Sequence, residues 1–156
     1  MVMKIFKCLL LIIICLLLVG CKNEKSVSNT CKLISDQSAN GYKSTTKYVI
    51  YSKDGVVKTI EQTEVVESNN KNILDFFSKQ YEKQYNNYSD TYGGYTYTGK
   101  IDNNKLTSKI VIDYNKVDMK KYIEDNNGIK KYVNKNNMFT LDGIIKMYKN
   151  IGATCK

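Results

Sequence analysis

The chain has no histidine, proline, tryptophan or arginine, and all 24 of its basic residues are lysine. Without histidine it lacks the commonest proton carrier and metal ligand, so Ser–His and Cys–His nucleophile pairs are excluded. Without arginine it lacks the planar fork that reads bases and phosphates in pairs, which argues against nucleic acid as a partner. No glycine-rich phosphate loop is present, and no CxxC spacing gathers the cysteines for zinc. The sequence therefore predicts no cofactor, no metal and no catalytic residue.

What is abundant is lysine, asparagine, isoleucine and tyrosine, the signature of AT-rich coding, which weakens a functional reading of the 13 tyrosines. At 156 residues the chain accommodates one domain beyond its N-terminal segment. Lys4 and Lys7 open that segment, an unbroken apolar run of 12 residues (8–19) follows, and Leu18-Val19-Gly20-Cys21 closes it. The run suits the core of an export signal and is short of the roughly 20 residues that a membrane-crossing helix needs. The closing tetrapeptide resembles the lipobox of bacterial lipoproteins. That resemblance implies diacylglyceryl transfer to the Cys21 thiol and cleavage before it, which removes residues 1–20. The competing reading is an uncleaved N-terminal anchor with a chance cysteine. Acyl chains on Cys21 would hold the protein on the extracytoplasmic face of the cell membrane.

Residues 21–30 read as a lipidated polar tether and 31–156 as a single domain. Losing Lys4 and Lys7 leaves 22 lysines against 15 acids, a net charge of +7. Such a balance favours anionic lipid head groups or wall polymers, although a solvated lysine surface explains it as well.

Within the domain, residues 42–52 and 56–66 are rich in Thr, Val, Ile and Tyr around Asp54-Gly55, a hairpin signal with untidy alternation. Residues 31–35 supply a further short strand. Ser68 and Asn69 are the expected caps of a helix over 71–88, where Ile73, Phe77, Tyr81 and Tyr85 recur every four residues. Gly93-Gly94 ends it.

A second hairpin joins residues 95–102 to 105–114 through Asn103-Asn104. One register pairs Ile101 with Leu106, Tyr97 with Ile110 and Tyr95 with Ile112, and sends Lys100 and Lys109 to the other face. Asp118 caps a short helix. Thr140 caps a last one bearing Leu141, Ile144, Ile145, Tyr148 and Ile151 before Gly152. The expected fold is α+β: an antiparallel sheet of two β-hairpins packed on one face by helices, preceded by a cleaved lipoprotein signal peptide.

This order and three phrases resemble the YehR-type family of small bacterial lipoproteins. The phrases are residues 42–59 (YKSTTKYVIYSKDGVVKT), residues 105–118 (KLTSKIVIDYNKVD) and the closing residues 141–156. The resemblance implies a lipid-anchored α+β domain and carries over no catalytic residue.

Among candidate chemical groups, Glu61, Glu64 and Glu67 are the densest acids, yet in a strand Glu64 points away from the other two. Capping accounts for Asp118. Of the aromatic run, Tyr85 and Tyr88 belong to the helix stripe and Tyr95 and Tyr97 to the sheet, leaving Tyr92 for a ligand contact. Two cysteines remain after processing, Cys31 and Cys155, and both lie where disulfides persist, so they are expected to pair.

The functional expectation is a non-enzymatic surface lipoprotein binding an anionic envelope polymer or a partner protein. An accessory subunit of a membrane complex is the alternative, and an enzyme of unfamiliar type is the last.

Overall fold

A computed structural model describes residues 27–156, with side chains from Asn29 onward. Cys21, the signal segment and the start of the tether lie outside the described residues. The chain folds into a six-stranded antiparallel sheet in the order β4-β5-β3-β2-β1-β6, with its helices on one face.

The first strand, β1 (Val27–Gln37), is longer than residues 31–35 suggest, and it begins inside the expected tether. Its pattern is weak, and what holds it is pairing along nearly all of β2 (Tyr42–Lys53), from Val27 opposite Tyr51 to Gln37 opposite Tyr42. At Thr30 it also exchanges backbone bonds with Lys156, of 3.0 and 2.9 Å. A 3-10 turn, Ser38–Asn40, closes on Gly41 and leads into β2.

β2 and β3 (Val56–Glu67) form the first predicted hairpin, with Asp54 and Gly55 both at positive φ (53° and 72°) as a tight hairpin turn requires. Its untidy alternation has a physical cause. Tyr51 faces Thr59 but Ser52 faces Val57, so Lys58 is an extra residue that reverses the inward face. Val57 and Ile60, three apart, are therefore both fully buried.

Helix α1 (Lys71–Tyr92) starts at the expected residue and runs past the expected end at 88, but neither Ser68 nor Asn69 is its cap. Asn70 is the cap, its side-chain oxygen accepting from the Asn72 amide at 3.0 Å. Ser68 instead donates to the Gly41 carbonyl at 2.7 Å and accepts from the Asn70 amide at 3.1 Å. The helix ends at Gly93. At Gly94 (φ 75°) a β-carbon would sit 2.6 Å from the Asp113 carbonyl oxygen, so only glycine brings the chain this close to the sheet.

The second hairpin, β4 (Tyr95–Asp102) and β5 (Lys105–Asp113), has the register read from the sequence: Tyr95 opposite Ile112, Tyr97 opposite Ile110, Ile101 opposite Leu106. It joins the first hairpin through β3 and β5. Helix α2 (Met119–Asp125) is capped by Asp118, and α3 (Leu141–Asn150) by Thr140. Between them lies a 3-10 stretch, Asn127–Tyr132. On α3, Ile144 and Tyr148 are buried, but Ile151 is 55% exposed rather than on the packed face. It is the residue at which the helix stops, and Gly152 then turns the chain back toward β6 (Thr154–Cys155).

The core fills the space between helices and sheet in two parts. The larger holds Cys31, Ile50, Ile60, Ile110, Ile144 and Phe139 with many rings, and Tyr48 stacks on Tyr148 at 4.0 Å. The smaller is Val66, Leu74 and Leu106, flanked by Tyr42, Phe77, Tyr81 and Ile101.

Candidate functional site

Cys31 and Cys155 stand directly opposite each other in β1 and β6, Cα atoms 4.0 Å apart, and are disulfide-bonded. The other sequence candidates fall on the two faces of the sheet, which have opposite characters.

The helix-covered face carries a polar belt between the two apolar clusters. Thr46, Glu64 and Ser108 lie in one register row, and Tyr48, Gln62, Ile110 and Tyr97 in the next. Glu64 accepts from the Tyr81 hydroxyl at 2.6 Å, and the Gln62 amide donates to Tyr85 at 3.1 Å. Tyr97 and Ser108 share a bond of 3.3 Å. Burial pushes the Glu64 carboxyl above its ordinary value of 4.5, against the opposing effect of the Tyr81 and Gln62 bonds. The same burial raises Tyr81 and Tyr85. No buried side-chain polar atom among the described residues lacks a partner. The Glu64–Tyr81 and Gln62–Tyr85 bonds thus join α1 to β3 and locate the helix on the sheet.

A carboxyl whose pKa is raised by folding binds more protons folded than unfolded. Its contribution is fully present below pH 4.5 and is lost as pH rises through the higher folded value. Glu64→Gln keeps an acceptor for Tyr81 and removes the buried charge. It should therefore stabilise the domain at neutral pH and flatten that part of the pH profile in urea unfolding. A profile identical to the parent's would show that Glu64 is not its source.

Tyr92, the tyrosine left for a ligand, is engaged. Its hydroxyl donates to Asp125 at 3.1 Å, and its ring meets Tyr122 edge-on at 5.0 Å, joining α1 to α2. Tyr85 stacks on Tyr97 at 5.8 Å, and Tyr88 lies 5.4 Å from Tyr95, so periodicity assigned these four correctly. Asp113 accepts from Asn115 and pairs with Lys116, both turn contacts. Among the described residues no three Cys, Asp or Glu side chains gather as metal ligands.

Among the described residues no helix lies on the opposite face. One row across it reads Thr98, Lys109, Thr63, Lys47, Lys32, Thr154. The next reads Lys100, Thr107, Val65, Thr45, Ile34, and none of these eleven residues is buried. At one end of the sheet the row Asp102, Lys105, Glu67, Lys43, Asp36 alternates in sign, and ion pairs form at Lys105–Glu67 (2.8 Å) and Lys43–Asp36 (3.0 Å). In the lysine row, by contrast, Lys32 and Lys47 are direct cross-strand neighbours of like charge. No ion pair to a described residue relieves Lys32, Lys47 or Lys109. The sequence shows each of these lysines as a polar-face residue; their alignment follows from the strand order.

No protein-family model matches the chain, and no curated protein matches it. Among solved structures it is similar to the NMR structure of the Escherichia coli YehR protein, a structural-genomics target. The two are 14% identical with a TM-score of 0.52, over 85% of this chain and 92% of that one. It is also similar to an NMR structure of a protein from Streptococcus pneumoniae TIGR4, 16% identical with a TM-score of 0.44, over 86% of this chain and 89% of that one. The likeness to YehR is one of fold. Among the described residues no helix is long and apolar enough to cross a membrane.

Proposed function

We propose that this is a lipid-anchored protein of the extracytoplasmic membrane face that binds an anionic envelope polymer through the open face of its sheet, with no chemistry of its own. The lipobox ending at Cys21 supports the anchor. The observation that carries the binding reading is the row Lys109, Lys47, Lys32. Lys32 and Lys47, directly opposite, repel, Lys109 stands one strand further along beyond Thr63, and an anion laid across the row turns that repulsion into attraction. Threonine hydroxyls at positions 63, 98, 107 and 154 add neutral donors to the same surface. Strands are about 4.8 Å apart, so the row spans the sheet as a line that suits an extended polyanion rather than a single small ion.

The test uses the full chain expressed in a bacterium. Labelled fatty acid should enter the parent and be absent from Cys21→Ser. The parent should bind soluble poly(glycerol phosphate) with an affinity that falls as salt is added. Lys47→Glu with Lys109→Glu should weaken that binding about tenfold, as expected for two exposed charge reversals of about 0.5–1 kcal/mol each. Acylation of the Cys21→Ser chain would overturn the anchor, and salt-independent binding or an inert double variant would overturn the binding face.

A further inference from the structure

A second surface, at the end of the sheet away from Val27, has a different chemistry. There the Ser38–Asn40 turn meets the first turns of α1, and Asn40, Tyr42, Asn72, Ile73, Phe76 and Phe77 line a groove of about 330 Å³. That volume is at the small end of ligand pockets. Phe76 is 57% exposed, whereas Phe77 beside it is half-buried, met edge-on by Tyr42 at 4.9 Å and by the tilted ring of Tyr81 at 5.6 Å. The helix stripe that packs the sheet is Ile73, Phe77, Tyr81 and Tyr85; Phe76 lies off it and meets the Phe77 ring edge-on at 5.8 Å.

The polar groups of this groove are open. The Tyr42 hydroxyl and the Asn72 side-chain amide make no hydrogen bond to a described residue, and Asn40 spends only its amide nitrogen, on Gln37 at 2.9 Å. Among the described residues no charged side chain lines the groove, in a chain of which 25% is charged. Tyr42 also borders a second, larger depression, walled by Ser38, Ser68, Asn69, Asn70 and Asn104 together with the charged Lys43, Glu67 and Lys71.

We propose that this groove is a binding site for a neutral saccharide, with a pyranose ring laid on Phe76 and its hydroxyl or acetamido groups bonded by Asn40, Asn72 and Tyr42. A pyranose has one face of C–H groups, which carry partial positive charge and match the negative face of an aromatic ring. Its other groups are paired donors and acceptors, which carboxamides satisfy in both directions. The adjoining depression adds the hydroxyls and amides of Ser38, Ser68, Asn69 and Asn104, beside the charged Lys43, Glu67 and Lys71, on the path of a second sugar unit. The location fits this occupant on the lipid-anchor reading, on which this one point rests. Val27 leads back in sequence to Cys21, and the ten residue steps of β1 at about 3.3 Å each put the groove about 30 Å from Val27, at the end of the sheet away from it.

The experiment is saturation-transfer NMR and calorimetric titration of a soluble β-1,4-linked N-acetylglucosamine tetrasaccharide into the full chain carried in lipid nanodiscs. Saturable binding is expected. Phe76→Ala should lose at least tenfold in affinity with an unchanged melting temperature, and Phe76→Tyr should retain it. Asn72→Ala should weaken binding at unchanged stability. Lys47→Glu with Lys109→Glu should leave it intact, which separates this site from the polyanion face. A positive titration of the unacylated Cys21→Ser chain would stand even if the anchor reading failed. No saturable binding, binding indifferent to Phe76→Ala, or self-association of the chain through Phe76 in place of sugar binding would overturn the proposal.

Discussion

Removing the Cys31–Cys155 bond should lower the free energy of unfolding by about 5 kcal/mol, less any native strain, because the bond closes nearly the whole domain into one loop. The two cysteines are 124 residues apart. In the chain-entropy account so long a loop withdraws more freedom from the unfolded chain than any short one could. The folded side of the balance points the same way. β6 is only two residues long, and with Lys156 it ties the chain end to β1 at Cys31 and Thr30. A strand that short does not hold itself in place. Its loosening would also uncover Cys31, which is fully buried, and Ala153 in the larger core.

The variant that reads this cleanly is Cys31→Ala with Cys155→Ala, since serine at position 31 would bury an extra hydroxyl. With a urea slope near 2 kcal/mol/M, the midpoint should fall by about 2–3 M, and reductant should shift the parent to the same place while leaving the variant unmoved. A parent whose midpoint ignores reductant would refute the expectation. Disulfides persist in oxidising compartments, so the bond agrees with the export proposed from residues 1–21.

How much of this was readable in advance depends on where the determining contacts lie. The second hairpin was legible to the residue, because Asn103-Asn104 sets the turn and the apolar set of both strands agrees with only one register. The caps Asp118 and Thr140 were legible for the same local reason: each accepts from a backbone amide three residues on. The first hairpin's register was not, because the extra residue at Lys58 breaks the period-2 pattern that reveals a strand. Nor was the start of β1 at Val27, whose strand state is imposed by β2 and by Lys156 rather than by its own composition.

The choice of Asn70 over Ser68 and Asn69 depended on Ser68 being drawn to the Gly41 carbonyl, a residue 27 positions away. The candidate surfaces follow the same division. Cys31 and Cys155 could be paired by elimination. The lysine row could not be assembled, because it needs β5, β3, β2 and β1 to be neighbours in that order. The groove at Phe76 needs the β1–β2 turn to meet α1. Composition carried only a net charge, and topology decides where that charge is concentrated.

The second large effect is expected from Ile110→Ala, which should cost about 2–5 kcal/mol, the range for removing a buried aliphatic side chain and leaving its space unfilled. Ile110 is fully buried on the helix-covered face of β5, between Gln62 on β3 and Tyr97 on β4. Those neighbours are held from above, since Tyr85 both stacks on Tyr97 and accepts from Gln62. A ring pair and a polar bond braced in this way cannot easily settle into a vacated site, which favours the upper part of the range. Lys109, the adjacent residue, points to the open face and is exposed, so Lys109→Ala should change stability by no more than about 0.5 kcal/mol. The contrast between two consecutive residues tests the register itself, because a slip of one position would exchange their environments. Urea unfolding of both variants under non-reducing conditions, with the disulfide intact, separates this effect from the loop closure. Comparable losses at Ile110 and Lys109, or a larger one at Lys109, would overturn the placement of β5, and with it the lysine row that β5 contributes to the open face.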